Sequence, residues 1–146
     1  MDVVYSLITA YIGSLGFALL FNVERRNLIP ASIGGIVCWG SYLLCSHLGV
    51  DTVVANMAAA ACTGAYAQVL ARVCRAPHTV FYIPAVVPLI PGSGLYYTMQ
   101  AAVSRDLVMC REYGIQTLQA TLGIAVGITF VAAVMYILTA LAQKRK

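Results

Sequence analysis

Long apolar runs separated by short polar or charged interruptions set the pattern of this chain. Hydrophobic residues dominate positions 3–21, 29–48, 52–73, 79–103 and 115–142. Each run is close to or above the ~20 residues that a helix needs to cross a bilayer. None of them alternates strictly between apolar and polar, as a half-buried strand would. Small residues recur instead at intervals of three and four. The pattern predicts an all-α, polytopic integral membrane helix bundle of about five transmembrane helices, forming a single transmembrane domain over residues 1–146.

The fourth run departs from the rest. Its centre reads FYIPAVVPLIPGSGLYY and carries Pro84, Pro88, Pro91, Gly92 and Gly94. Each proline removes a backbone donor and crowds the carbonyl four residues back. The residues before the prolines are pushed toward extended backbone, and the glycines accept almost any geometry. An uninterrupted helix over 79–103 is therefore not expected; a broken fourth helix is. In lipid such a break is tolerated where protein covers it or where it lines a wet cavity.

The other runs read as its wall. In the first, Ser6, Ala10, Gly13 and Gly16 fall mostly on one side, where small residues let a neighbouring helix approach closely. A charged loop, Asn22 to Asn27, follows, and Pro30 suits the start of the second helix, where a missing N–H costs nothing. Gly34, Cys38, Ser41 and Cys45 form its small-residue stripe, with Trp39 and Tyr42 as packing aromatics. Asp51 or Thr52 can cap the third helix. Asn56, Ala60, Thr63, Gly64 and Ala67 then share one face, with Gln68 beside it; this face suits a crowded interior or a water-lined path. Ser104 to Gly114 reads as a loop or interfacial turn. The last run holds Gly123 and Gly127, a literal GxxxG of a kind common by chance in glycine-rich helices, and is long enough to tilt or project beyond the membrane.

Composition agrees with the pattern. Of 146 residues, 61% are hydrophobic and 10% charged, far below the roughly 25% charge of ordinary soluble domains. The first run begins after Asp2 and lacks a small-residue cleavage pattern, so it reads as a retained helix rather than a signal peptide. The five cysteines (Cys38, Cys45, Cys62, Cys74, Cys110) contain no CxxC pair and read as packing residues, not a metal site. The net charge of +4 does not argue for nucleic acid, because the basic residues sit at the ends of runs. With five crossings, Arg25, Arg26, Arg72, Arg75, Lys144, Arg145 and Lys146 share one side, against Arg105 and Arg111 on the other. The positive-inside rule makes the first group cytoplasmic and puts the N-terminus outside. A re-entrant fourth segment would erase that asymmetry.

Several stretches carry a family resemblance. Arg72-Val-Cys-Arg75-Ala-Pro77, then Phe81-Tyr-Ile-Pro84-Ala-Val-Val-Pro88-Leu-Ile-Pro91-Gly92 and Tyr96, resemble the threonine/serine exporter family. In particular they resemble its small subunit, which corresponds to the C-terminal half of the full-length exporters. The segment FNVERRNLIPASIGGIVCWGSYLL is similar to that family's first loop and second helix, with Gly34-Gly35 and the aromatics Trp39 and Tyr42. Two departures are Ala85, where the family often has glycine, and the extra glycine of Gly92-Ser93-Gly94. The resemblance implies proton-driven export of small amino or carboxylic acids across a bacterial inner membrane. It also implies a separately encoded larger membrane subunit as partner. Some two-component members are linked to dicarboxylate rather than to threonine or serine.

The residues support a transport role on their own terms. A discontinuous helix exposes half-helix ends, and the positive N-terminal end can hold a substrate carboxylate. If a half-helix restarts at Gly92 or Ser93, the N–H groups from Gly92 to Leu95 form a carboxylate cradle behind Pro88 and Pro91. Ser93 adds a hydroxyl, and Tyr96, Tyr97 and Gln100 lie within one or two turns, able to meet an amino or hydroxyl group. The alternative is that three prolines merely kink a packed helix; three prolines plus two glycines exceed what one kink needs. Asn56, Thr63 and Gln68 either line the path or bond across helices for a modest ~0.6 kcal/mol each. Arg72 and Arg75 set orientation or guide anionic substrate at the inner mouth.

No Asp, Glu, Lys or Arg lies mid-run, so a proton-carrying carboxylate is expected from the partner. His47, His78 and Asp51 all sit near run ends, and His78 reads as a solvated loop residue or a titratable one. No nucleophile–base pair or HExxH arrangement lies in the spans, so an enzyme is not expected. No cofactor is expected either. The rival reading is a structural or assembly protein that stabilises a larger partner without its own transport path. The chain could also form a homo-oligomer within such a complex.

Overall fold

The computed structural model describes the backbone of residues 3–144 and the side chains of residues 3–137. Among them are six α-helices and no strand: α1 Val3–Leu20, α2 Arg25–His47, α3 Thr52–Cys74, α4 His78–Val86, α5 Gly92–Val103 and α6 Leu107–Lys144. A 3-10 turn, Val87–Leu89, follows α4 directly. Helices α1, α2, α3 and α6 are each long and apolar enough to cross a membrane, and α4 with α5 form a bent pair that makes a fifth candidate.

Close approach at small residues holds the bundle together. A Cβ on Gly35 of α2 would collide with Ser14 and the Ala10 carbonyl of α1. The face that α1 buries is therefore Ala10, Ser14 and Ala18, a row spaced by four. Gly13 and Gly16, expected on that face, have open space where a Cβ would stand, with nothing within 4 Å, and serve no close approach. Helix α2 packs next on α3 and α4. Tyr66 of α3 fastens it by donating its hydroxyl proton to the Pro30 carbonyl at 2.8 Å. Asn56, Ala60, Thr63, Gly64 and Ala67 of α3 are all buried, which makes that face bundle interior.

The GxxxG of α6 is a real contact. A Cβ on Gly127 would lie 2.5 Å from the Met57 carbonyl oxygen, and one on Gly123 would strike the Val53 carbonyl. Val131 further along fills the space beside Gly64. The register runs in the same direction on both helices, so α3 and α6 are parallel. Chain direction then settles the bent pair: α4 begins where α3 ends, and α6 begins at the end where α3 starts. The α4–α5 pair carries the chain across the bundle once, rather than dipping in and returning.

Two boundaries differ from the sequence expectation. Helix α2 starts at Arg25, not at Pro30. Its first turn holds the charged Arg25 and Arg26, and Pro30 sits five residues inside, near enough to the end for water to satisfy the Arg26 carbonyl it leaves free. The expected loop from Ser104 to Gly114 is only the turn Ser104–Asp106. Asp106 caps α6, its Oδ1 accepting the Met109 N–H at 3.1 Å, which satisfies an orphan donor of the first turn. Helix α6 is thus 38 residues, about 57 Å at ~1.5 Å per residue. Residues 107–122 precede the Gly123–Val53 contact and run on beyond the start of α3. There α5 covers them as the second arm of an antiparallel hairpin, with Gly94 against Thr117, Thr98 near Gly114 and the rings of Tyr97 and Tyr113 5.5 Å apart.

Candidate functional site

The fourth crossing is built around a break that its own residues make. Pro84 and Pro88 lack the N–H groups that would bond the Val80 and Pro84 carbonyls. The backbone tightens into the 3-10 turn, Ile90 takes an extended conformation, and α5 restarts at Gly92 with a bend of 49°. The restart falls where the glycine pattern puts it. At the new N-terminus the Gly92 N–H donates to the Ile90 carbonyl at 2.7 Å and the Leu95 N–H to the Pro91 carbonyl at 3.1 Å. The N–H groups of Ser93 and Gly94 are left, fewer than the four of the expected cradle.

Helix α4 and the turn lie deep in the bundle. Phe81, Pro84 and Ala85 are fully buried, and Leu89 packs with Cys38, Ala59 and Ala60. Ala85 has its reason in α2: a Cβ on Gly34 would come within 2.5 Å of the Ala85 methyl, so one partner of this contact must be glycine. Helix α5, by contrast, packs on α6 alone among its closer neighbours. Gly94 is needed there, since a Cβ would collide with the Thr117 hydroxyl, whereas a Cβ on Gly92 would meet open space.

Cavities flank the crossing on three sides. One of about 370 Å³ lies between α3, α4 and α6 and is lined by Gln68, His78, Thr79, Tyr82 and apolar residues of α6. Within it the rings of His78 and Tyr82 stack at 5.1 Å. The Tyr82 hydroxyl is buried with no hydrogen-bond partner among the described residues. A second cavity, about 350 Å³, lies between α1, α2 and the 3-10 turn, with Tyr5, Ser6, Thr9, Trp39 and Pro88 around it. The third, about 380 Å³, opens where the α1–α2 turn, the end of α3 and the first turns of α4 meet. Glu24, Arg26, Asn27, Arg75 and Thr79 are in its wall. Arg75 closes α3 in the left-handed conformation, φ 51°, which costs a residue other than glycine about 1 kcal/mol. The same turn sets Arg75 at the cavity wall.

The residues singled out from the sequence fall in separate places. Gly92, Ser93, Tyr96, Tyr97 and Gln100 share α5 and are exposed, with Pro91 half-buried just before them. The Tyr96 and Tyr97 rings meet edge to face at 5.5 Å. Pro88 faces the α1 groove. Asn56 lies at the α3–α6 contact beside Gly123 and donates its amide N–H to the Thr52 carbonyl at 2.8 Å. Thr63 likewise bonds its own helix, at the Ala59 carbonyl, 2.7 Å away. Gln68 of α3 lines the cavity between α3, α4 and α6 beside the crossing. Sequence reading missed the grouping of Glu24, Asn27 and Arg75. Its one local signal is the short, mostly polar stretch Asn22 to Asn27, which reads as a loop but runs into the first turn of α2 at Arg25.

A family model described as "Threonine/Serine exporter, ThrE" matches residues 6–134. The chain belongs to the threonine/serine exporter family. The match takes in every crossing of the bundle, the broken one included. The family description is that of a transporter rather than an enzyme, and the exporter's membrane location agrees with the long apolar helices. No solved structure matches this exporter-family chain. Among the described residues no group of three or more His, Cys, Asp or Glu could hold a metal ion, and all five cysteines are free.

Proposed function

We propose that the protein is the membrane subunit of a two-component secondary exporter for threonine and serine, or for small carboxylic acids. It works in a bacterial inner membrane with its N-terminus outside and its C-terminus cytoplasmic. The observation that carries this reading is the broken crossing inside a bundle that the exporter family model matches nearly end to end. A break at membrane depth, flanked by cavities, is where secondary transporters hold substrate. Coupling to protons needs a titratable group within the membrane. The one carboxylate in the candidate spans, Glu112, sits near the start of α6 where that helix runs beyond α3, so the group at membrane depth belongs to a larger partner subunit. Helix α5 supports such a partner: among the described residues its close packing is on α6, and Leu95, Tyr96, Met99 and Val103 are exposed along it.

The test is efflux of preloaded threonine, serine and succinate from cells that express this chain alone or with the larger subunit. Export only by the pair, of one of these solutes, is the expected result. Absence of efflux of all three from cells whose membranes contain both chains would replace this reading with that of an assembly protein.

A further inference from the structure

We propose that the crevice between α4 and α6 binds one anionic phospholipid, with its phosphate at Arg72 and the start of α4 and an acyl chain between the two helices. Helix α4 packs on α2 and α3, and α6 packs on α3 and α5, yet α4 and α6 make no close packing with one another among the described residues. The gap they leave is the cavity of about 370 Å³ floored by Gly64 and Gln68 of α3. Its α6 wall is Ile128, Val131, Ala132 and Met135, all apolar. Because α3 and α6 run parallel and α4 runs back, the polar residues Gln68, His78 and Thr79 collect at one end. That end is the one near the helix termini, and the apolar end lies toward the middle of the bundle. A polar mouth above an apolar slot is the outline of a lipid rather than of a soluble metabolite.

The mouth suits a phosphate. Gly64, Gln68 and Arg72 are spaced by four and share one face of α3. Side chains on a helix lean toward its N-terminus, so the exposed Arg72 reaches back over Gln68. Arg72 is in no ion pair among the described residues, and a guanidinium can meet phosphate oxygens with two parallel bonds. Pro77 supplies no side-chain cap to α4, and in its first turn the Val80 N–H donates to the Pro77 carbonyl at 3.1 Å. The His78 and Thr79 N–H groups are left for an anion, with the positive end of the helix dipole behind them. One turn deeper, ~6 Å at ~1.5 Å per residue, stands Tyr82. It lines the cavity and is 9% exposed, yet its hydroxyl has no hydrogen-bond partner among the described residues. Buried hydroxyls are rarely left so. A phospholipid carries ester carbonyls just below its phosphate, and one of them would accept this proton.

Charge selects the headgroup. The end that holds the mouth gathers Arg25, Arg26, Arg72 and Arg75, and its one acid among the described residues, Glu24, is engaged by Arg26 at 3.1 Å. A choline headgroup would bring a further cation there; a glycerol headgroup would not. Bound so, the lipid ties α4, the first half of the broken crossing, to α6, whichever solute is exported.

The test is native mass spectrometry of the purified full chain, titrated in detergent with phosphatidylglycerol or phosphatidylcholine of identical acyl chains. One phosphatidylglycerol should bind at about tenfold lower concentration than phosphatidylcholine, and glycerol 3-phosphate should not displace it. Arg72→Gln should raise the concentration needed by about tenfold, the loss of a charge-assisted pair, and Arg72→Lys should recover part of it. Arg111→Gln, which removes the same charge at the other end of the bundle, should change nothing. Ala132→Trp, at an exposed position of the crevice wall, should block the acyl chain and keep the thermal midpoint near that of the wild type. Tyr82→Phe keeps the ring and should weaken phosphatidylglycerol a few-fold, whereas loss of a hydroxyl that is merely buried would leave binding unchanged. Equal retention of the two lipids, displacement by glycerol 3-phosphate, or wild-type retention by Arg72→Gln, Ala132→Trp or Tyr82→Phe would each overturn the proposal. So would loss of the lipid when the larger subunit joins the chain, since that partner would then fill the crevice itself.

Discussion

Glycine contacts are the residues on which the bundle turns, and they differ in a way a substitution can read. Gly127 presses its backbone onto the Met57 carbonyl, and its missing Cβ would also lie 2.9 Å from that of Ala60. Gly16 has nothing within 4 Å and is exposed. Gly127→Leu should therefore push α6 off α3 and destabilise the protein by about 1–3 kcal/mol, the usual range for overpacking. Gly16→Ala should be neutral or stabilising by about 0.5–1 kcal/mol, because alanine favours helix. Thermal unfolding of the two variants in one detergent measures the contrast, and equal midpoints would remove the close-packing account of the GxxxG. Local sequence could not tell these glycines apart. Each sits among apolar residues at helical spacing, and what separates them is the neighbour that folding brings.

At the scale of elements, legibility followed how local the cause is. The break was readable because Pro84, Pro88 and Pro91 act on their own backbone, and the restart at Gly92 needed no tertiary information. The first turns of α2 and α6 were hidden, since charged residues there resemble loop until a cap such as Asp106 is weighed. The third cavity was beyond reading, because its wall comes from the α1–α2 turn, the end of α3 and the start of α4, far apart in sequence. The expected carboxylate cradle is an element-scale claim and has its own test. Nothing stands within 4 Å of where a Cβ on Gly92 would be, so Gly92→Leu should insert and fold like the wild type while placing a side chain over the α5 N-terminus. Export is then expected to fall at least about tenfold, the worth of losing ~1.4 kcal/mol of substrate binding. Wild-type efflux from a normally expressed Gly92→Leu protein would leave the break a structural bend only. Gly94→Leu cannot serve here, since it would strike Thr117 and disturb the hairpin itself.

For the whole molecule, the parallel run of α3 and α6 has a consequence for membrane sidedness. Arg25, Arg26, Arg72 and Arg75 gather at one end of the bundle, and Arg105 and Arg111 lie at the other, where α6 projects past α3. In the proposed orientation the basic end is cytoplasmic, as the positive-inside rule expects, and the α5–α6 hairpin lies outside. Single cysteines test both the crossing and its direction, in a background where the five native cysteines are replaced. Val108→Cys, on the exposed start of α6, should react with a membrane-impermeant maleimide in intact cells. Pro77→Cys, at the α3–α4 turn, and a cysteine appended at the C-terminus should react only after the cells are opened. The reverse pattern would invert the orientation and place the α1–α2 turn and the end of α3 on the outer face. Identical behaviour of Pro77→Cys and Val108→Cys would mean that the bent pair does not cross, which the parallel register of Gly123 on Val53 and Gly127 on Met57 forbids.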